Sequence, residues 1–207
     1  MNFVEFQNFG LNAMTVSFIG TIFFTFFQAW GLSGQNKTIW KNKSGEAVSV
    51  SWLSYNLYVF FLAFIYALEI NGLALAFNGF CLGVMHIPII IGLGKFKGFQ
   101  RWEKIVFGVA IVLLVVMIFL PSEYKALLFL ISSFGNIIAM ATQPLEIFKK
   151  KTSGCVDIRL IFSFWISTIF WVVYAFAVNN WVLQILCPSY LAILTITMIL
   201  WFLYRKT

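Results

Sequence analysis

Seven stretches of roughly 20 mostly apolar residues follow one another along this chain, at 11–34, 48–68, 72–93, 105–120, 126–148, 160–178 and 181–203. A run of that length crosses the ~30 Å hydrocarbon core of a bilayer as a helix, because lipid offers no partner for backbone polar groups and the helix pairs them internally. This one feature sets the expected fold class: an all-α polytopic membrane protein with seven transmembrane helices. Composition agrees, since 61% of the 207 residues are hydrophobic and only 10% are charged, against about 25% charged in a soluble domain. A water-soluble enzyme, a nucleic-acid binder and a disordered chain are excluded together, as none keeps so much apolar surface out of water.

The basic residues orient the spans. With seven crossings, one face receives Lys37, Lys41 and Lys43, then Lys95, Lys97, Arg101 and Lys104, then Lys149, Lys150, Lys151 and Arg159, and finally Arg205 and Lys206; only Lys125 falls on the other. The positive-inside rule then puts the N-terminus outside and the C-terminus in the cytosol. We read these clusters as topology signals ahead of any lipid or anionic partner. No Lys or Arg precedes the first span, so the basic region of a cleaved signal peptide is missing and the span is expected to be retained. A bacterial inner membrane is the expected location. The three cysteines, Cys81, Cys155 and Cys187, are too scattered for a disulfide framework or a zinc site.

Sliding the chain by 108 residues superposes 34–72 on 142–180 without a gap. Gln35 meets Gln143, Lys41 and Lys43 meet Lys149 and Lys151, Tyr66 meets Tyr174, and Asn71 meets Asn179. Apolar matches are cheap in such a composition; matches at Gln, Lys, Tyr and Asn are not. The offset carries span one onto five, two onto six and, with a small insertion near Gln184, three onto seven. The expected layout is 3 + 1 + 3: a first three-helix repeat over 1–94, a linker helix within 95–125, and a second repeat over 126–207. The odd fourth span, the shortest and least polar, returns the chain so that both triplets enter the membrane alike. Parallel repeats of this kind pack about an axis along the membrane normal, with a cavity between them at mid-depth.

The stretches 35–49 (QNKTIWKNKSGEAVS) and 143–157 (QPLEIFKKKTSGCVD) resemble a pair of PQ-loop motifs, in which Pro-Gln near a helix end is followed by a Lys-Lys/Ser turn. With seven spans, the chain resembles the PQ-loop/SWEET-like transporter superfamily over nearly its whole length. The resemblance implies a membrane carrier, in a superfamily whose substrates include sugars, amino acids and vitamins. Two positions depart from the motif: its proline is Gly34 in the first repeat and Thr142 in the second, where Pro144 follows Gln143. The motif proline of the family is associated with a gating hinge, which the resemblance assigns here to Gly34, Gln35, Gln143 and Pro144.

Polar residues inside spans are costly and normally face a cavity or another helix. Ser17, Thr21, Thr25, Gln28 and Gln35 fall on one stripe of span one, and Ser132 or Ser133, Asn136 and Gln143 mark span five. The offset pairs Gln28 with Asn136, either as pore lining or as bonds between helices. In SWEET-like proteins an asparagine in each third helix faces bound sugar; Asn78 matches that pattern, and Ser189 stands where we expect its partner. Trp171 resembles the aromatic that stacks on substrate, and its repeat mate is Ala63. His86, about 12 Å along the helix from Asn78, is read as a hydrogen-bonded packing residue ahead of an inner gate. Asn56 is read as a bond between helices ahead of a ligand contact.

Glu69, Glu123 and Glu146 lie near span ends and Asp157 in a loop, so no carboxylate sits mid-span of the kind that proton-driven carriers usually keep. No catalytic triad, metal cluster or phosphate-binding glycine loop occurs, so no enzyme and no cofactor are expected. The expected function is uncoupled facilitated diffusion of a small neutral solute such as a sugar, by alternating access. A carrier of amino acids or vitamins and a non-transporting receptor or scaffold are the alternatives. The expected partners are the solute and the lipid bilayer, with no nucleic acid; a homo-oligomer is compatible with the same architecture.

Overall fold

A computed structural model describes residues 3–7 and 9–205, so Lys206 lies outside the described residues. Among the described residues eight helices follow in order: α1 (Val4–Gln7), α2 (Ala13–Asn42), α3 (Val50–Glu69), α4 (Leu73–Phe96), α5 (Arg101–Phe119), α6 (Ser122–Lys150), α7 (Ile158–Ala177) and α8 (Trp181–Tyr204). No strand occurs among the described residues. The seven from α2 to α8 are long and apolar enough to cross a membrane, and the chain is an integral multi-pass membrane protein. The short α1, ahead of the first span, has no counterpart in the periodicity.

The helix bounds repeat at the offset read from the sequence. Adding 108 to 50–69 gives 158–177, and adding it to 73–96 gives 181–204, the bounds of α7 and α8. No insertion near Gln184 is needed, which corrects the expected gap. The turn chemistry repeats too. Lys43 and Lys151 end α2 and α6 at φ 48° and 52°, and Asn71 and Asn179 turn the chain at φ 52° and 51°. Asparagine tolerates this left-handed region better than most residues, which is the physical reason for one of the polar matches. Ser49 and Asp157 begin α3 and α7, each accepting a backbone N–H with its side chain.

The first span runs further than hydropathy suggested: α2 continues through Gly34 and the polar run after it to Asn42, while α6 ends at Lys150, close to the expected 148. At the basic end of the molecule these polar turns leave the apolar layer while staying helical.

Within the first triplet α4 packs between α2 and α3, and within the second α8 packs between α6 and α7. The triplets meet along α2 with α7 and α3 with α6, pairs that the offset maps onto each other. Between helices in lipid the hydrophobic driving force is small, so close packing and hydrogen bonds hold this seam. Phe24 and Phe170 stack at 4.2 Å between α2 and α7, while Tyr66 and Phe129 stack at 4.7 Å between α3 and α6. The Tyr58 and Ser132 hydroxyls share a hydrogen bond of 2.7 Å across the latter pair. α5 is the least buried span and presents Ile105, Val109, Val112 and Val116 outward, as a lipid-facing helix does.

Candidate solute cavity

The seam between the triplets widens into a cavity of about 110 Å³, lined by α2, α3, α4, α6, α7 and α8. Four amides reach it: Gln28, Asn56, Asn78 and Asn136. They form two bonded pairs. Asn78 Nδ2 donates to Gln28 Oε1 at 2.8 Å and to Thr25 Oγ1 at 2.9 Å, inside the first triplet. Asn136 Nδ2 donates to Asn56 Oδ1 at 2.8 Å, between triplets, and to the Tyr190 hydroxyl at 3.3 Å. Trp171 adds an aromatic wall, edge-on to Tyr174 at 5.3 Å.

Three buried polar atoms around the cavity have no partner among the described residues: Asn136 Oδ1, Ser133 Oγ and Trp52 Nε1. Such groups are rare and costly unless a ligand or water meets them. They comprise an acceptor, a hydroxyl and a donor, and among the described residues no Asp, Glu, Lys or Arg lines the cavity. The surface is therefore neutral and bifunctional in hydrogen bonding, with an aromatic face beside it.

The repeat is broken where chemistry is concentrated. Position by position, Gln28 faces Asn136, but Asn56 corresponds to Phe164, Asn78 to Leu186 and Ala63 to Trp171, all of them on the cavity. A symmetric scaffold thus encloses an asymmetric lining.

Of the residues singled out from the sequence, Gln28, Asn78, Asn136 and Trp171 come together on this cavity. Ser189 does not. Its hydroxyl turns back to the Ile185 carbonyl at 3.2 Å, and α8 lines the cavity with Leu186, Cys187 and Tyr190 instead. The mate of Asn78 in the ungapped register is Leu186, and Ser189 lies about 120° around α8 from the centre of the stripe of Leu183, Leu186, Cys187, Tyr190 and Leu194 that lines the cavity. His86 is fully buried, with Nδ1 against the Leu82 carbonyl at 2.7 Å and its ring on Phe60 at 5.2 Å. It stands behind Phe60, which lines the cavity where His86 does not. Asn56, read as a bond between helices, makes one with Asn136 and also lines the cavity, as does Ser133; Tyr190 and Trp52 are additions. Asn56 and Ser133 carried a polar signal in mid-span, whereas an aromatic among so many aromatics carried none.

At the basic end, the two motif glutamines close the seam reciprocally. Gln35 Nε2 donates to the Cys155 carbonyl at 2.9 Å, and Asp157 N donates to Gln35 Oε1 at 2.9 Å. Gln143 Nε2 donates to the Ala47 carbonyl at 2.9 Å, and Ser49 N donates to Gln143 Oε1 at 2.9 Å. Each glutamine of one triplet thereby holds two backbone groups of the other, at positions that differ by 108. Asp157 also accepts from Thr38 Oγ1 at 3.0 Å and pairs with Arg159 at 2.6 Å. Burial alone would raise the Asp157 pKa, but the bonds from Arg159 and Thr38 outweigh it and hold the carboxyl below its ordinary range.

Gly34 and Pro144 both lie inside unbroken helices. A Cβ at Gly34 would come within 2.7 Å of Arg159 Nε, so glycine there admits the guanidinium of the other triplet. Pro144 has no N–H to give to the preceding turn. Neither residue contacts the cavity.

No family model matches the chain, and no curated protein matches it. Among solved structures, a eukaryotic SWEET transporter determined at 3.7 Å resolution superposes with a TM-score of 0.60 at 13% identity, covering 91% of this chain and 98% of that one. The two chains share a seven-helix fold over nearly their whole lengths.

Proposed function

We propose that the protein is a membrane carrier that passes a small neutral solute, a sugar in the first instance, by alternating access without ion coupling. The observation that carries this reading is the central cavity: amides, hydroxyls and an aromatic wall, three unpaired buried polar atoms, and no charged side chain. A polyol presents hydroxyls that both donate and accept, and an apolar C–H face that an indole covers. A zwitterionic amino acid would bring two charges into a lining that offers neither a carboxylate nor a cation, which is costly at low dielectric. The same absence of a carboxylate favours uncoupled passage over proton symport. The shared fold with a SWEET transporter supports the transport class. The basic turns would face the cytosol and the N-terminal end the outside.

In this reading the triplets rock about the α2/α7 and α3/α6 seams. Opening towards the basic end requires the Gln35 and Gln143 bonds to part, with bending near Gly34 and Pro144. Asn78, Gln28, Asn136, Asn56 and Trp171 contact the solute.

The test is flux of a labelled sugar panel into liposomes holding the purified protein. Uptake that exceeds an Asn78→Ala control and saturates with one or more sugars is expected. Uptake no faster than that control for every sugar would sink the sugar assignment, and counterflow against amino acids or nucleosides would then identify a different cargo.

A further inference from the structure

The end of the molecule away from the basic turns carries a carboxylate that repeat symmetry does not explain. α8 begins at Asn180, whose Oδ1 accepts the Leu183 N–H at 3.2 Å. The corresponding residue ahead of α4 is Gly72, which has no side chain to cap the helix. Glu5 supplies the cap from 68 residues away in sequence: Leu73 N donates to its Oε2 at 3.1 Å and Ala74 N to its Oε1 at 3.0 Å. A carboxylate in that position meets unpaired N–H groups and the positive end of the helix dipole. Val4 N, donating to the Asn71 carbonyl at 3.1 Å, fixes the segment beside it.

The same carboxylate reaches the other triplet. The Tyr174 hydroxyl of α7 donates to Glu5 Oε1 at 2.6 Å, and Glu5 is 0% exposed. One side chain, delivered by the short helix α1 ahead of the first span, therefore ties α4 of the first triplet to α7 of the second.

Its place relative to the route matters. Val4 borders a small vestibule of about 210 Å³ between the α3–α4 and α7–α8 turns, with Tyr66, Tyr174 and Asn180 in its wall. Tyr174 lies between this vestibule and the central cavity, since its edge-on neighbour Trp171, nearly one turn deeper, lines the cavity. The vestibule wall thus joins the central cavity through the Tyr174–Trp171 contact, and Tyr174 is the residue that Glu5 holds.

We propose that α1 (Val4–Gln7) is a latch on this end of the transport route, with Glu5 as the group that keeps it shut by joining the first turn of α4 to the Tyr174 hydroxyl. Opening breaks the Tyr174 bond while the α4 cap stays whole, so Glu5 travels with the first triplet. The proposal rests on the alternating-access reading, but its test needs no transported solute.

Cys187 lines the central cavity and is buried. In a background with Cys81→Ser and Cys155→Ser it is the single thiol, and a hydrophilic maleimide reports how often the cavity opens. The measurement is made on the full chain in detergent, where the reagent reaches both ends whichever way the protein sits in a membrane. Glu5→Ala and Tyr174→Phe are each expected to speed labelling by about tenfold or more, because each removes a charge-assisted hydrogen bond from the closed state. Tyr174→Phe keeps the α4 cap and the ring, so it separates release of the latch from damage to the helix start.

A Glu5→Ala rate that rises while Tyr174→Phe matches the parent would make Glu5 a cap and nothing more, overturning the latch. So would parental rates in both variants, given full labelling after denaturation. Faster labelling together with no flux of any solute would leave the latch standing and count against the carrier reading alone.

Discussion

Replacing Gln35 or Gln143 by leucine keeps much of the side-chain volume and removes the amide. The partners then fail in pairs: the Cys155 carbonyl and Asp157 N–H for Gln35, the Ala47 carbonyl and Ser49 N–H for Gln143. Both glutamines are buried, at 0% and 1% exposure. An unsatisfied buried polar group costs about 1–3 kcal/mol, so losing one glutamine destabilises the closed seam by about 2–6 kcal/mol. The Asp157 N–H is only partly buried and water can replace its partner, whereas both groups held by Gln143 are buried. Gln143→Leu is therefore expected to cost more than Gln35→Leu. For a chain of this size even 2 kcal/mol lowers the apparent Tm by about 4–8 °C. Because the two glutamines close one interface, the double variant is expected to lose less than the sum of the single losses. Thermal unfolding of the purified protein in detergent measures this, and maleimide labelling of Cys155, whose carbonyl Gln35 holds, reports opening at the same end. Single variants within about 1 °C of the parent, with Cys155 labelled at the parental rate, would refute the inference that these amides close the seam.

Three further outcomes follow from the geometry. Ser189→Ala is expected to leave flux of any transported solute near the parental level, while Asn136→Ala lowers it at least about tenfold by removing a cavity hydrogen bond; parallel flux measurements decide, and equal losses would contradict the placement of Ser189 off the cavity. Gly31→Ala puts a Cβ 2.0 Å from Ser163 Oγ and 2.7 Å from the Arg159 carbonyl, so it should force α2 from α7 and lower stability by about 1–3 kcal/mol, seen as a lower apparent Tm. The Asp157 carboxyl is held below its ordinary pKa, so its stabilising effect is fully present above the ordinary carboxylate value of about 4 and is lost as pH falls through the lowered one. The parent is thus expected to exceed Asp157→Asn in Tm by a constant margin from pH 7 down to about 5 and to approach it below that; a margin that grows on acidification would reverse the sign.

The seven spans, the offset of 108 and the polar exceptions were legible because each is local or additive. A bilayer turns chain length and hydropathy directly into helices, and an asparagine in a left-handed turn leaves the same trace at 71 and 179. Gln28, Asn78, Asn136 and Trp171, which share one cavity, stood out in the sequence because a polar group in a greasy helix, or a residue standing in a family pattern, needs a reason. The failures came from register and distance. Assuming a gap near Gln184 placed Ser189 on the cavity, but it lies about 120° around α8 from the centre of the stripe of Leu183, Leu186, Cys187, Tyr190 and Leu194 that lines it.

What the sequence determined alone was an all-α membrane fold of seven apolar helices, because lipid leaves a chain of this composition few other ways to satisfy its backbone. What the tertiary structure decided was how the triplets meet: Gln35 and Gln143 holding each other's turns, Gly34 making room for Arg159, and Glu5 taking over the cap that Gly72 cannot supply. Those relations join residues about 70 to 170 positions apart, and no local rule of helix propensity or hydropathy encodes them. They exist only once two nearly symmetric halves are packed face to face, where each unpaired polar group must find its partner on the other side.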